Sequence, residues 1–255
     1  MKPYDQRQLF RKQEENGTTS GMCDNYLQAN MITLPKEFAF DFLLFCQRNP
    51  KPCPVVDVLE AGVTKPKVAD ADIRTDLPKY RIYRNGEFKE EVDDIQDYWR
   101  EDLVTFSIGC SFTFEKALLE VGIELLHQQQ KRVVPMYKTN IPCEKAGNFE
   151  GNMVVSMRAL KQDEIERASQ ITEHFQTSHG GPVHIGHPEE IGIYDIHNPD
   201  YGESISFNDE ERVPVFWACG VTPQNVCLHA RPEIMISHAP GHMLITDQLE
   251  ERKRG

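Results

Sequence analysis

The 255-residue sequence has no long apolar run. Its densest early one, Phe38 to Cys46, is interrupted by Asp41 and falls far short of the ~20 apolar residues that a membrane-spanning helix needs. No stretch has the layout of a signal peptide. The seven cysteines, at 23, 46, 53, 110, 143, 219 and 227, are odd in number and form no C-x-x-C, which speaks against a disulfide framework and a zinc ribbon. They read as reduced, mostly buried thiols, and a cytoplasmic protein is expected. Basic residues are also short: 28 against 40 acidic leaves −12, so neither a nucleic-acid groove nor an anionic membrane surface is expected as a partner. No repeat period appears.

What is present centres on Leu103 to Gln128. Leu103 to Gly109 is a β-branched and aromatic run ending on Gly, the pattern of a buried strand whose last residue lets the chain turn. Phe114, Ala117, Leu118, Val121 and Leu125 then form one apolar helical stripe. Between strand and helix, Cys110-Ser111-Phe112-Thr113 brings a thiol and two hydroxyls to the first unpaired helical N–H groups, with Glu115 in the first turn. The segment reads either as an ordinary helix cap or as an anion site.

Residues 1–25 are polar and read as a flexible N-terminal arm. Pro35 to Cys46 is a strongly apolar helix, Val55 to Glu60 a strand, and Tyr80 to Phe88 a hairpin turning on Asn85-Gly86. After Arg132 come an edge strand with Pro135, a strand at Met153 to Met157, an amphipathic helix from Asp163 to Phe175 and a short strand at Val183 to Ile185. Val213 to Gly220 is a further strand ending on Gly, followed by a helix or turn with Thr222 as its cap; this repeats the layout at Gly109. Ile234 to His238 and Met243 to Asp247 read as paired strands, and Glu250 to Gly255 as a frayed end. The expected architecture is α/β: a larger three-layer α/β domain (26–130 and 188–255) with an inserted smaller two-layer α/β domain (131–187).

Three groups could carry chemistry. His184-x-x-His187 and His238-x-x-x-His242 have metal-capable spacings, but they lie beside Gly and Pro, and no carboxylate or cysteine completes either pair nearby. No metal and no cofactor is therefore assigned. Cys110, with Ser111, is a candidate nucleophile, because a helix N-terminus lowers a thiol pKa; the competing reading is an inert buried thiol. Arg74, Tyr137, Thr139, Asn140, Thr222, Gln224 and His238 collect at strand ends, where open α/β sheets bind ligands. Arg74 lies between carboxylates in Asp72-Ile73-Arg74-Thr75-Asp76. It is either a salt-bridged loop residue or a fork for a carboxylate substrate.

Several strings, in order, resemble one family: Phe45-Cys46-Gln47-Arg48-Asn49-Pro50-Lys51-Pro52-Cys53-Pro54, Asp72 to Pro78, Gly109-Cys110-Ser111-Phe112-Thr113-Phe114-Glu115, Pro135-Met136-Tyr137-Lys138-Thr139-Asn140-Ile141-Pro142, Pro182 to Gly186, Val213 to Gln224, and His238-Ala239-Pro240-Gly241-His242. Together, over about residues 28 to 247, they resemble the D-glutamate cyclase family, whose shorter bacterial members are described as hydro-lyases. The resemblance implies a carbon–oxygen lyase of amino-acid metabolism that cyclises D-glutamate to 5-oxo-D-proline with loss of water. Animal mitochondrial members carry a further C-terminal region absent from this chain.

Such a reaction needs a carboxylate clamp, a base, oxyanion donors and an acid for the departing water. Arg74 is the candidate clamp. The N–H groups of Ser111 to Thr113 with Asn140 are the oxyanion donors, and His238 or Glu115, with Ser111 and Cys110, exchange protons. Thr113, Tyr137, Thr139, Thr222 and Gln224 complete the expected binding set. The alternatives are a non-catalytic protein binding a small carboxylate, or a metal-dependent lactam or amide hydrolase that chelation would silence. A small carboxylate is the expected ligand, and a homodimer is common for acidic α/β proteins of this size.

Overall fold

A computed structural model describes residues 1–249 of the chain, so the charged end expected to fray lies outside the described residues. The chain is a mixed α/β protein built on two sheets, and every strand pair in both is antiparallel. The strand-end rule for open sheets of parallel strands therefore does not locate a site here.

The larger sheet contains β1 (Tyr26–Pro35), β2 (Val55–Leu59), β3 (Tyr80–Arg84), β4 (Glu87–Val92), β5 (Leu103–Gly109), β10 (Met235–His238) and β11 (Leu244–Leu249). Its order is β2-β5-β1-β10-β3-β4, with β11 also on β1. The last two strands share β1 and do not pair with each other as expected: β10 meets Ile32 and Thr33, and β11 meets Tyr26 to Ala29. The hairpin of β3 and β4 turns on Asn85 and Gly86, both at positive φ, which the Asn-Gly pair forecast. β5 is buried along its whole length, as its β-branched and aromatic run requires.

The smaller sheet has the order β6-β7-β9-β8, from β6 (Met136–Pro142), β7 (Asn152–Lys161), β8 (His184–Ile185) and β9 (Arg212–Ala218). β9 was expected to return to the larger unit. It pairs instead with seven residues of β7, from Val155 to Lys161, so the chain crosses back only after Ala218. Local patterning marks a strand but not its partner, and that is where the expectation failed.

The helices make the two sheets one assembly. α3 (Phe112–Glu120) leaves β5 of the larger sheet, yet Phe114, Ala117 and Leu118 pack with α5 (Ile165–Glu173) and with Val215 and Trp217 of the smaller sheet. α6 (Val221–Ala230) leaves β9 of the smaller sheet and places Val226 and Cys227 with α2 (Lys36–Arg48) and Phe106 on the larger one. Each helix thus crosses to the sheet its own strand does not belong to. The α3 stripe is shorter than expected: the helix stops at Glu120, and Leu125 caps the separate α4 (Leu126–Gln129).

The N-terminal segment is not a loose arm. It forms α1 (Pro3–Arg11), with Phe10 buried and Arg7 wholly enclosed. Arg7 donates to the Ile245 carbonyl at 2.8 Å and pairs with Asp247 at 2.8 Å, and Arg11 grips both oxygens of buried Asp76. A buried guanidinium must be paired, and the Arg7 bonds fasten the helix to β11 while Arg11 ties it to the segment before β3.

Candidate functional site

The two crossings meet. The first turns of α3 and α6 face a small enclosed cavity of about 20 Å³, lined by Cys110, Ser111 and Phe112 from one crossing and Cys219, Gly220 and Val221 from the other. Asn30 of β1 sits between them, its Nδ2 donating to the Ile108 and Gly109 carbonyls at 3.2 and 2.9 Å. Gly220 permits the approach of Asn30, and Gly109 that of the 176–178 turn. A Cβ on Gly109 would fall inside the Thr177 carbonyl oxygen, and one on Gly220 would strike the Asn30 amide. Pro240, Gly241 and Met243 from the β10–β11 connection, with Val133, Val134 and Met136, close the remaining walls.

Each crossing carries a cysteine two residues before the first helical N–H. Burial pushes the Cys110 thiol well up and the Cys219 thiol to about 11, while the backbone N–H groups of Phe112 and Val221 act more weakly in the other direction. Of the two readings of Cys110, the structure has the buried thiol: desolvation outweighs the helix end, and both thiols hold their protons at neutral pH. Neutral thiols, not thiolates, line the cavity.

Behind the α3 crossing lies a buried charged cluster. Arg158 of β7 donates through Nη2 to Glu115 at 2.5 Å and to Ser111 Oγ at 3.2 Å, and through Nη1 to Ser156 Oγ at 3.1 Å. Its guanidinium also lies 5.0 Å from the Phe114 ring centre and 5.5 Å from that of Trp217. Glu115 further meets His127 at 3.1 Å and receives Gln128 Nε2 at 2.7 Å and Ser20 Oγ at 3.2 Å. Burial alone would raise its pKa, but the charges and hydrogen bonds of His127 and Arg158 prevail and hold it at about 2. A carboxylate so held is a poor base. Ser111 is the N-cap of α3 but makes no side-chain cap bond; because Oγ accepts from Arg158, its own proton is free to point elsewhere.

The other expected residues have other employment. Arg74 is engaged by Asp72 through two bonds of 2.9 and 2.7 Å, does not line the cavity, and is the salt-bridged loop residue of the competing reading. Thr113 Oγ1 accepts the Gln28 N–H, Thr139 donates to Met153 O, and Tyr137 donates to Ile196 O at 2.5 Å. Asn140 reaches the Glu190 carbonyl at 3.3 Å on the surface, away from Ser111. Thr222 is not the cap of α6, which is Gly220; its hydroxyl bridges the Val154 N–H and carbonyl at 2.9 and 3.1 Å and pins the helix to β7. Gln224 joins the Tyr83 and Ser237 hydroxyls.

His238 is wholly buried, with Nδ1 receiving the Met31 N–H at 3.1 Å; burial lowers its pKa to about 4, and it does not line the cavity. The metal-capable pairs do other work. His184 Nε2 meets the His187 carbonyl at 3.0 Å, and His242 Nδ1 the Pro240 carbonyl at 2.8 Å. Among the described residues, no group of three His, Cys, Asp or Glu side chains is arranged to hold a metal ion.

Sequence reasoning missed Cys219, Asn30, Arg158 and His127. Two signals were available: the repeated Gly-ended strand before a helix, and a lone arginine inside the apolar run from Met153 to Leu160. Also missed was His179, at positive φ, buried against the Lys51 carbonyl at 2.9 Å and lowered by burial to about 4. It borders a separate open cavity of about 560 Å³ with Gln47 and Lys51.

The two crossings belong to a stretch that known proteins share. A family model described as D-glutamate cyclase matches residues 104–247, which include both. The chain belongs to the D-glutamate cyclase family. Relatives named "putative hydro-lyase" accompany it at nearly full length: one from Oceanobacillus iheyensis is 76% identical, covering 99% of this chain and 100% of its own. Those from Bacillus subtilis and Bacillus licheniformis are 57% and 56% identical over 98–99% of this chain and 97–98% of theirs. A solved structure, a nitrogen repressor-like protein from Methanococcus jannaschii, aligns over 99% of each chain at TM-score 0.42 and 10% identity, too distant to carry an argument. Among the described residues of this cyclase-family chain, no helix is long and apolar enough to cross a membrane.

Proposed function

We propose that the chain is an acid–base hydro-lyase acting on a small dicarboxylate, that its reaction is the cyclisation of D-glutamate to 5-oxo-D-proline, and that the cavity between the two crossings is its reacting centre. One observation carries the reading: two helix N-termini, two protonated thiols and the Ser111 hydroxyl surround a single enclosed space. Paired helix ends suit charge that develops on an oxygen.

The chemistry asks for what is there. The α-amine attacks the γ-carboxyl carbon, a C–N bond forms and one C–O bond breaks. Two protons leave the nitrogen in all, and two end on the departing oxygen as water. The tetrahedral oxyanion lies against the positive dipole ends of α3 and α6, whose Thr113, Phe114 and Thr222 N–H groups donate to the Cys110, Ser111 and Cys219 carbonyls and not to a ligand, and a thiol or Ser111 gives a proton to the leaving oxygen. Glu115, fixed as an anion, holds Arg158 against Ser111 and takes no proton itself. At about 20 Å³ the cavity admits one water, so binding of D-glutamate parts its lining.

Chiral chromatography of the protein with D-glutamate, with 5-oxo-D-proline and with the L-forms tests this. Stereoselective interconversion is the expected outcome. No turnover in either direction, together with retained binding of glutarate, would replace the lyase by a small-carboxylate-binding protein.

A further inference from the structure

The enclosed cavity has a neighbour that opens to solvent. A cleft of about 600 Å³ is bordered by Lys138, Tyr201, Asn225, His229 and Arg231. Tyr201 lies between the two spaces: its ring packs on the cluster that contains Cys110, Cys219, Val134, Met136 and Met243, all cavity walls. Its backbone pairs with Met136 in both directions, at 2.9 and 3.1 Å, and its hydroxyl donates to Asn225 Oδ1 at 3.2 Å. Asn225 stands one turn along α6 from Val221, another wall of the cavity.

Two cations, Lys138 and Arg231, border the cleft in a chain of net charge −12. Lys138 Nζ sits 5.6 Å from the Tyr201 ring centre and 3.9 Å from the Asp200 carboxylate, which also accepts the Lys138 N–H at 2.8 Å. Arg231 is exposed, within electrostatic reach of the Glu87 carboxylate, whose pKa it helps Lys89 to lower, and His229 adds a ring to the same border. The one carboxylate on the rim, Glu87, is occupied by Lys89 at 2.8 Å. An acidic protein that turns a small anion over must gather it against its own field, and a locally positive cleft does so. The open cavity at Lys51 and His179 shares no lining residue with the thiol-lined one, and the 176–178 turn beside it presses on the Gly109 backbone.

The geometry points to the cleft at Lys138, Arg231 and His229 as the outer binding site for a small dicarboxylate, with Tyr201 as the movable wall through which it reaches the thiol-lined cavity. This rests on the hydro-lyase reading for the identity of the anion, but the route can be tested without turnover. The full chain is treated with iodoacetate and, separately, with iodoacetamide, and alkylation of Cys110 and Cys219 is followed by peptide mass spectrometry. The first probe is a carboxylate and the second is its neutral counterpart.

In the native protein, added salt or glutarate should slow iodoacetate more than iodoacetamide. In the double variant Lys138→Gln, Arg231→Gln the iodoacetate-to-iodoacetamide rate ratio should fall by roughly tenfold, the low end of what a charged cleft contributes. The iodoacetamide rate should stay put, which also reports an intact fold. An unchanged ratio, a fall in Lys51→Gln instead, or no labelling of either native cysteine when the unfolded chain labels fully, would each overturn the proposal. If charge-selective labelling persists while D-glutamate is not turned over, the cleft stands and the cyclase reading falls.

Discussion

The crossings at Gly109 and Gly220 share a plan and differ in what stands behind them. Both run from a strand through a glycine and a cysteine into a helix that packs on the opposite sheet, and both present a first turn to the same cavity. Behind α3 lies a buried ionic cluster of Arg158, Glu115 and His127; behind α6 lie neutral hydrogen bonds from Thr222 and Gln224. The difference separates two kinds of cost. Buried charge is safe only while every partner is present, whereas neutral buried groups fail singly and cheaply. The charged crossing can fix Ser111 firmly and set a field at both thiols; the neutral one supplies a helix end and little else.

Breaking the charged side should do the most damage. Arg158→Met leaves Glu115 enclosed beside a partner that is charged only when protonated, and should lower stability by about 3–5 kcal/mol in a urea titration. The glycines come next, and they should not be equal. Gly109→Ala meets the Thr177 backbone carbonyl, which cannot step aside, whereas Gly220→Ala meets the side chain of Asn30. The first should cost about 3 kcal/mol or more and the second roughly 1–2 kcal/mol, read as a difference in thermal midpoints.

Acid should open the molecule in two windows. His179 and His238 are lowered by burial to about 4 from a usual 6.5, so the unfolded chain binds more protons in between. Their contribution, each on the order of 3 kcal/mol, is present above pH 6.5 and lost as the pH falls through 4. Glu115, held at about 2 against a usual 4.5, loses its share only below 4.5. Glu115→Gln should remove the lower window and leave the upper, as stability against pH would show. The smallest effect belongs to the neutral crossing: Thr222→Val orphans the Val154 N–H and should cost about 1–2 kcal/mol.

Much of this was legible in the residues themselves. The buried run to Gly109, the Asn85-Gly86 hairpin, β7, α5 and the repeated layout at Gly220 follow from periodicity and turn chemistry, which are local properties. The exchange of helices between sheets was not legible, because an apolar stripe records that a face is covered and not by what. The same gap misplaced β9. Arg74 and Arg158 show it for charge: the arginine among visible carboxylates proved to be paired with its neighbour Asp72, and the one inside an apolar strand found Glu115 through the fold. For Cys110 the sequence left two readings, a helix-activated nucleophile and an inert buried thiol; depth of burial, which the sequence does not show, decides for the second.

The central claim is that the cavity between the crossings, and not the loop at Arg74, is where the reaction occurs. The most direct test is the rate of D-glutamate conversion in Cys110→Ala, Cys219→Ala and Arg74→Ala, each compared at matched thermal stability. We predict at least a roughly 100-fold loss in kcat for both cysteine variants, the scale of a lost proton donor, with Arg74→Ala close to the parent protein. Full activity in both cysteine variants, or its loss in Arg74→Ala alone, would contradict the account.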